Sequence, residues 1–143
     1  MTAPGATAPN PVPGSTERAQ RGAARLAELA DEGRAAAHAL LAEVCPDLPR
    51  LAVEFAYGDI HSRPGLDSAR RELVSIGALV ALGDTAVQLR AHLGSALTSG
   101  LGPDELVEAV LQALPYAGFP RVINAMLVVR EVLQERGLLP VVP

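Results

Sequence analysis

The chain has 143 residues, a formal net charge of −4, twelve arginines with no lysine, three histidines and a single cysteine. Without a lysine amine it cannot be a Schiff-base decarboxylase or aldolase or a pyridoxal-phosphate enzyme. One cysteine excludes an intramolecular disulfide, a zinc knuckle and a two-cysteine redox centre, and a reducing compartment is the simplest setting.

Alanine (25 residues) and leucine (21) dominate and aromatics make up only 3%, so an all-α chain is expected. The first stretch, MTAPGATAPNPVPG over residues 1–14, holds four of the twelve prolines and little to bury. It reads as a disordered or loosely docked tail ahead of a single helical domain over residues 15–143. It lacks the charged start and apolar run of a signal peptide, and no apolar run is long enough to cross a membrane. A cytoplasmic protein without membrane contacts is expected. Arg18, Arg21, Arg25 and Arg34 are interleaved with acids and form no stripe, so no nucleic acid partner is expected either.

Ser15 or Thr16 can cap a first helix, whose apolar positions are Ala24, Leu26, Leu29 and Ala30. Gly33 interrupts or bends it before a run from Ala36 to Val44, which Pro46 stops. Asp47 offers an N-cap for a helix from about Leu48 to Ala56, closed by Gly58. The segment GDIHSRPGLD then reads as a loop, and Asp67 or Ser68 caps a helix to about Leu82, ended by Gly83. Asp84 caps the next helix, with Ala86, Leu89, Leu93, Ala96 and Leu97 as its apolar positions until Ser99 and Gly100. Pro103 opens a helix with Asp104 and Glu105 in its first turn, running to Leu114. Pro115 kinks or ends it, YAGFP is a break, and Pro120 starts a last helix reaching Arg136.

Helical spacing places Thr85, Gln88, His92, Ser95 and Ser99 on one polar line. These residue types suit a partly buried polar cavity, since each can be satisfied without burying a full charge. Glu72 and Ser75 share a face of the preceding helix, so an antiparallel pair would carry Glu72 toward His92. The alternative is a core histidine tied to a structural glutamate. Cys45 reads as a small buried filler, His38 as a surface or interface residue, and Arg70, Arg71 and Arg121 as surface or intersubunit cations, one of which could reach the pocket.

Taken together, EFAYGDIHSRPGLDSARREL over residues 54–73, LRAHLGSALTSGLGPDELVEAVLQALPYAGFPRVINA over residues 89–125 and the spacing between them resemble the carboxymuconolactone decarboxylase family, within the alkylhydroperoxidase-D-like fold. The resemblance covers about residues 20–135. It implies a helical protomer of about six helices, assembled as a homo-oligomer (trimer or hexamer), with the pocket near subunit contacts. The family's peroxidase branch places a Cys-x-x-Cys pair between the glutamate and the histidine. Here those positions are Thr85 and Gln88, so no thiolate nucleophile or resolving partner is present.

The resemblance to the decarboxylase branch implies a cofactor-independent lyase acting on a small-molecule carboxylate or lactone. Loss of CO2 from a carboxylactone leaves a dienolate held by the lactone carbonyl, which is then protonated at carbon. His92 is the candidate acid and Glu72 its partner. Arg63 could clamp a carboxylate, and His61, Tyr57, Tyr116, Gln88 and Asp59 are further candidate substrate contacts. The branch usually carries glutamate at the position of Gln88 and tryptophans near Tyr57 and His61, so this pocket has more acid/base groups. A secondary-metabolism enzyme of the same family, catalysing decarboxylation, isomerisation, cyclisation or cofactor-free oxidation, is the alternative. A non-catalytic binding module and a metal site of His61, His92 and Glu72 are further readings, although no metal is expected.

Overall fold

In the computed structural model residues 15–29 and 32–142 are described, and the expected tail over residues 1–14 lies outside them. All regular structure among the described residues is helical. The chain divides into two compact units, the first ending at Pro64 and the second beginning at Gly65.

The first unit contains α1 (Ser15–Leu29), α2 (Glu32–Val44) and α3 (Asp47–Leu51), which runs straight into a π-helix (Ala52–His61). The sequence reading ends a helix at Ala56 and starts a loop at Gly58. Instead the chain stays helical through His61, and the loop is confined to residues 62–67. The Ser62 hydroxyl donates to the Tyr57 carbonyl at 2.7 Å, satisfying an acceptor at the open end of the wider helix. Pro46, not Asp47, is the N-cap of α3, and the Asp47 carboxylate instead accepts from Arg50 at 3.0 Å. Gly33 does not interrupt a helix: α2 already begins at Glu32.

The face of α1 also differs from the apolar pattern. Ala24 is exposed, and the inward line is Arg18, Gly22, Arg25 and Leu29, at helical spacing. Gly22 is there because the helices meet backbone to backbone: a Cβ on it would stand 2.0 Å from the Val53 carbonyl oxygen. Gly58 mirrors it, with a Cβ placed 2.5 Å from the Arg18 carbonyl oxygen. Only hydrogen in place of a side chain permits this approach. Arg18 then donates to both Asp59 oxygens, at 3.2 Å to Oδ1 and at 2.9 and 2.6 Å to Oδ2, and Arg21 donates to the Gly58 carbonyl at 2.6 Å. Cys45, expected as buried filler, is exposed.

The second unit holds the hydrophobic core. It contains α4 (Ser68–Leu82), α5 (Ala86–Thr98), α6 (Pro103–Gln112), the single turn α7 (Leu114–Ala117) and α8 (Phe119–Glu135). Asp67 caps α4 as expected, accepting from the Arg70 backbone N–H at 2.8 Å, and Gly83 closes it with φ +72. At the next helix Asp84 is not the cap: it sits at φ +52 and Thr85 takes the position, its hydroxyl donating to the Leu79 carbonyl at 2.7 Å. Pro103 opens α6 as read, and the Glu105 carboxylate reaches back to the Gly102 N–H at 2.8 Å. The break after α6 falls at Ala113, so Pro115 and Tyr116 lie inside α7, and α8 starts at Phe119, one residue before Pro120. Ile76, Leu93, Leu106 and Val129, from α4, α5, α6 and α8, lie at the centre of this core, all at most 1% exposed.

Candidate functional site

Glu72, Ile76 and Val80 lie at successive four-residue steps along the buried face of α4, so the carboxylate enters the same interior as the apolar core. A buried carboxylate must be paired, and α5 returning alongside α4 supplies His92. Nδ1 of His92 lies 2.7 Å from Oε2 of Glu72, with Glu72 wholly buried and the His92 side chain 20% exposed. A carboxylate only accepts, so Nδ1 of His92 presents its hydrogen to Glu72. The second carboxylate oxygen, Oε1, is buried and accepts no hydrogen bond among the described residues. An unmet buried acceptor costs about 1–3 kcal/mol, so the site holds a polar valence ready for a water or ligand donor.

The rest of the predicted polar line divides. Ser95 is buried, whereas Gln88 is exposed. Ser99 turns back to its own helix, donating to the Ser95 carbonyl at 2.8 Å, and Thr85 is occupied with Leu79. Tyr116 is 83% exposed and edges an apolar cavity of about 420 Å³ with Leu73, Gly77, Ala109 and Ala113.

Tyr57, Asp59, His61 and Arg63 belong to the first unit. Tyr57 and His61 are both buried, their ring centroids 5.1 Å apart and tilted by 33°. The buried Arg34 donates to the Tyr57 hydroxyl, and its guanidinium carbon lies 5.5 Å from the ring centroid, adding a cation–π contact. Asp59 is held by Arg18 and Arg21, and the Arg18 hydrogen bond keeps its carboxyl below the usual carboxylate range. Arg63 is exposed in the loop.

Two buried charged residues escaped the sequence reading. The sequence reading has Arg34 only as one of four arginines interleaved with acids, and it does not single out Glu54, which pairs with Arg50 at 3.3 Å. The spacing of Glu54, Tyr57, Gly58 and His61 places all four on the inner face of the π-helix. That signal was present but hidden by ending the helix at Gly58. A π-helix is itself enriched at functional sites. No group of three His, Cys, Asp or Glu side chains among the described residues is disposed to hold a metal ion.

Residues 46–131 match the model of the carboxymuconolactone decarboxylase family. The chain is 39% identical over 94 residues to the 4-carboxymuconolactone decarboxylase of Acinetobacter baylyi, covering 66% of this chain and 69% of that protein. It is also 36% identical over 86 residues to the nitrosuccinic acid decarboxylase of Metarhizium robertsii, covering 59% of each. The matched stretch contains both Glu72 and His92 and the all-α pattern that carries them, and the chain belongs to the carboxymuconolactone decarboxylase family.

Proposed function

We propose that the protein is a cofactor-independent decarboxylase of a carboxylated lactone, with His92 as the proton donor. The observation that supports this is the 2.7 Å bond between a wholly buried Glu72 and a His92 that is one-fifth exposed. Glu72 holds Nδ1–H and orients the ring, so Nε2 takes up a proton from solvent, the Glu72 carboxylate offsets the imidazolium charge, and that Nε2 proton is the one transferred. The bond from the ring carbon to the carboxylate breaks, its electron pair passes into the lactone-conjugated system as a dienolate, and CO2 leaves. The dienolate carbon then takes the Nε2 proton, and solvent restores it through the exposed ring edge. The net change is one carboxylate and one proton converted to CO2 and a C–H bond. Oε1 of Glu72 is available to a water or substrate hydroxyl that helps hold the leaving carboxylate.

The test is CO2 release from 4-carboxymuconolactone by the full chain. The His92→Ala variant is expected to lose about 10²–10⁴ in kcat, the usual share of a general acid. Glu72→Gln retains an acceptor for Nδ1–H and is expected to lose less. No turnover by folded wild type, or full activity in His92→Ala, sinks the proposal.

A second reading, decarboxylation of a different acid, is favoured by the similarity to nitrosuccinic acid decarboxylase. A nitro group, like a lactone carbonyl, can accept the electron pair left by CO2, so the same histidine would serve. CO2 release from nitrosuccinate but not from the lactone would select it.

We also infer a homo-oligomer. Phe119, Ile123 and Leu127 recur every four residues along α8 and are 68%, 54% and 56% exposed, an apolar stripe that a second copy would bury.

A further inference from the structure

A second cavity of about 420 Å³ lies within the second unit, between the C-terminal end of α4, the start of α5 and the start of α8. That volume falls within the ~300–1,000 Å³ of small-molecule sites. Neither Glu72 nor His92 lines it; the α5 lining stops at Leu89. The cavity is therefore separate from the proposed reaction centre.

Its polar lining is of two signs. Arg121 and Asn124 come from α8, and Asp84 from the turn between α4 and α5. Among the described residues many charged side chains are paired, as Arg18 is with Asp59 and Arg90 with Glu131 and Glu135. Arg121 and Asp84 are not: neither has a hydrogen-bond or ion-pair partner among the described residues, and they do not pair with each other. Two opposite charges, both exposed to solvent, thus line the same cavity without pairing.

The turn is shaped to admit the cation. A Cβ on Gly83 would stand 2.9 Å from Nε of Arg121 and 3.4 Å from its Cδ, so the Arg121 side chain lies directly against the left-handed Gly83 turn. The Thr85 hydroxyl is turned to the Leu79 carbonyl and no side chain caps α5, which leaves first-turn N–H groups beside the cavity to favour an anionic group. The remaining walls are apolar, from Leu79, Val80, Leu89 and Val128.

A simple carboxylate would leave Asp84 facing a like charge, and a simple amine would leave Arg121 facing one. A ligand carrying both charges on adjacent atoms, with an apolar remainder, satisfies every wall. We propose that this cavity binds a small zwitterion of the α-amino-acid class with an apolar side chain, its carboxylate on Arg121 and Asn124 and its ammonium on Asp84. Arginine suits the carboxylate because its planar fork can donate two parallel bonds.

The experiment is calorimetric titration of the full chain with L-leucine, with 4-methylpentanoate, which lacks the ammonium, and with isopentylamine, which lacks the carboxylate. Saturable binding of L-leucine is expected, with each truncated analogue at least about tenfold weaker. Arg121→Gln should abolish binding. Asp84→Asn, which keeps a residue tolerant of the left-handed backbone, should erase the preference for L-leucine over 4-methylpentanoate. His92→Ala should bind L-leucine as wild type does, which separates this site from the proposed decarboxylation. Far-UV circular dichroism verifies that each variant is folded. Equal binding of L-leucine and 4-methylpentanoate by wild type, retention of binding in Arg121→Gln, or no binding into the tens of millimolar overturns the proposal.

Discussion

Replacing Gly22 by alanine tests the packing of α1 most directly. The new methyl group would lie 2.0 Å from the Val53 carbonyl oxygen, 2.8 Å from the Val53 carbonyl carbon and 3.0 Å from the Gly58 nitrogen. All three are backbone atoms, so no side chain can swing away. Close carbon–oxygen contacts stop at about 3.3 Å, so α1 must retreat by on the order of 1.3 Å. A retreat of that size carries the 2.6 Å bond from Arg21 to the Gly58 carbonyl beyond hydrogen-bonding range, and the Arg18–Asp59 bonds with it. Overpacking of this kind costs about 1–3 kcal/mol, and with unyielding backbone the upper end applies. The gain in helix propensity from glycine to alanine returns about 1 kcal/mol. The net loss is about 2 kcal/mol, a fall in Tm of several degrees. Gly77→Ala in α4 is the control, because nothing lies within 4 Å of its Cβ position. It should gain up to about 1 kcal/mol from the same propensity term. Urea denaturation measures both, and limited proteolysis reports whether α1 is released. If Gly22→Ala proves as stable as Gly77→Ala, α1 and the π-helix do not meet through their backbones.

In the core, Leu106→Ala removes a fully buried side chain between α6 and its neighbours and should cost about 2–5 kcal/mol in urea denaturation. Acid titration should show two losses of stability. Burial, assisted by the Arg34 cation, lowers the His38 pKa from 6.5; the folded state resists its protonation, so stability is full above that value and falls as pH drops below it, and His38→Gln should flatten this limb. Arg18 holds the Asp59 pKa below 3.8, so its contribution is present above that value and disappears as pH falls through the lower folded value; Asp59→Asn should remove it. Finally, Ile123→Glu on the exposed stripe of α8 should shift the light-scattering mass of wild type toward the protomer, and an unchanged mass would remove α8 from the assembly surface.

The elements that composition and punctuation specify were legible in advance. Asp67 capping α4, Gly83 ending it, Pro103 opening α6 and the antiparallel approach of Glu72 to His92 all follow from short-range rules, because caps and helical periodicity act over three or four residues. The misreadings occur where a long-range contact overrode a local preference. Gly58 looked like a helix stop, yet it is retained inside the π-helix because α1 presses on it. Asp84 looked like a cap, yet Thr85 took the place once the left-handed Gly83–Asp84 turn set the path of the chain. Ala24 looked inward-facing by hydropathy, yet Gly22 defines the contact face because closeness of approach, not apolar area, decides that packing.

By itself the sequence determined the all-α class, the family and the Glu72–His92 pair, since these depend on residue type and on spacing within and between neighbouring helices. It also excluded two-cysteine and lysine-amine chemistry through residues it does not contain. Only the tertiary structure decided that Glu72 is wholly buried with one oxygen unmet, that Arg34 lies buried against Tyr57, and that Asp84 and Arg121 line one cavity without pairing. Burial and unmet valence are properties of what surrounds a group in space. Residues far apart in the chain supply that environment, so no local pattern encodes it.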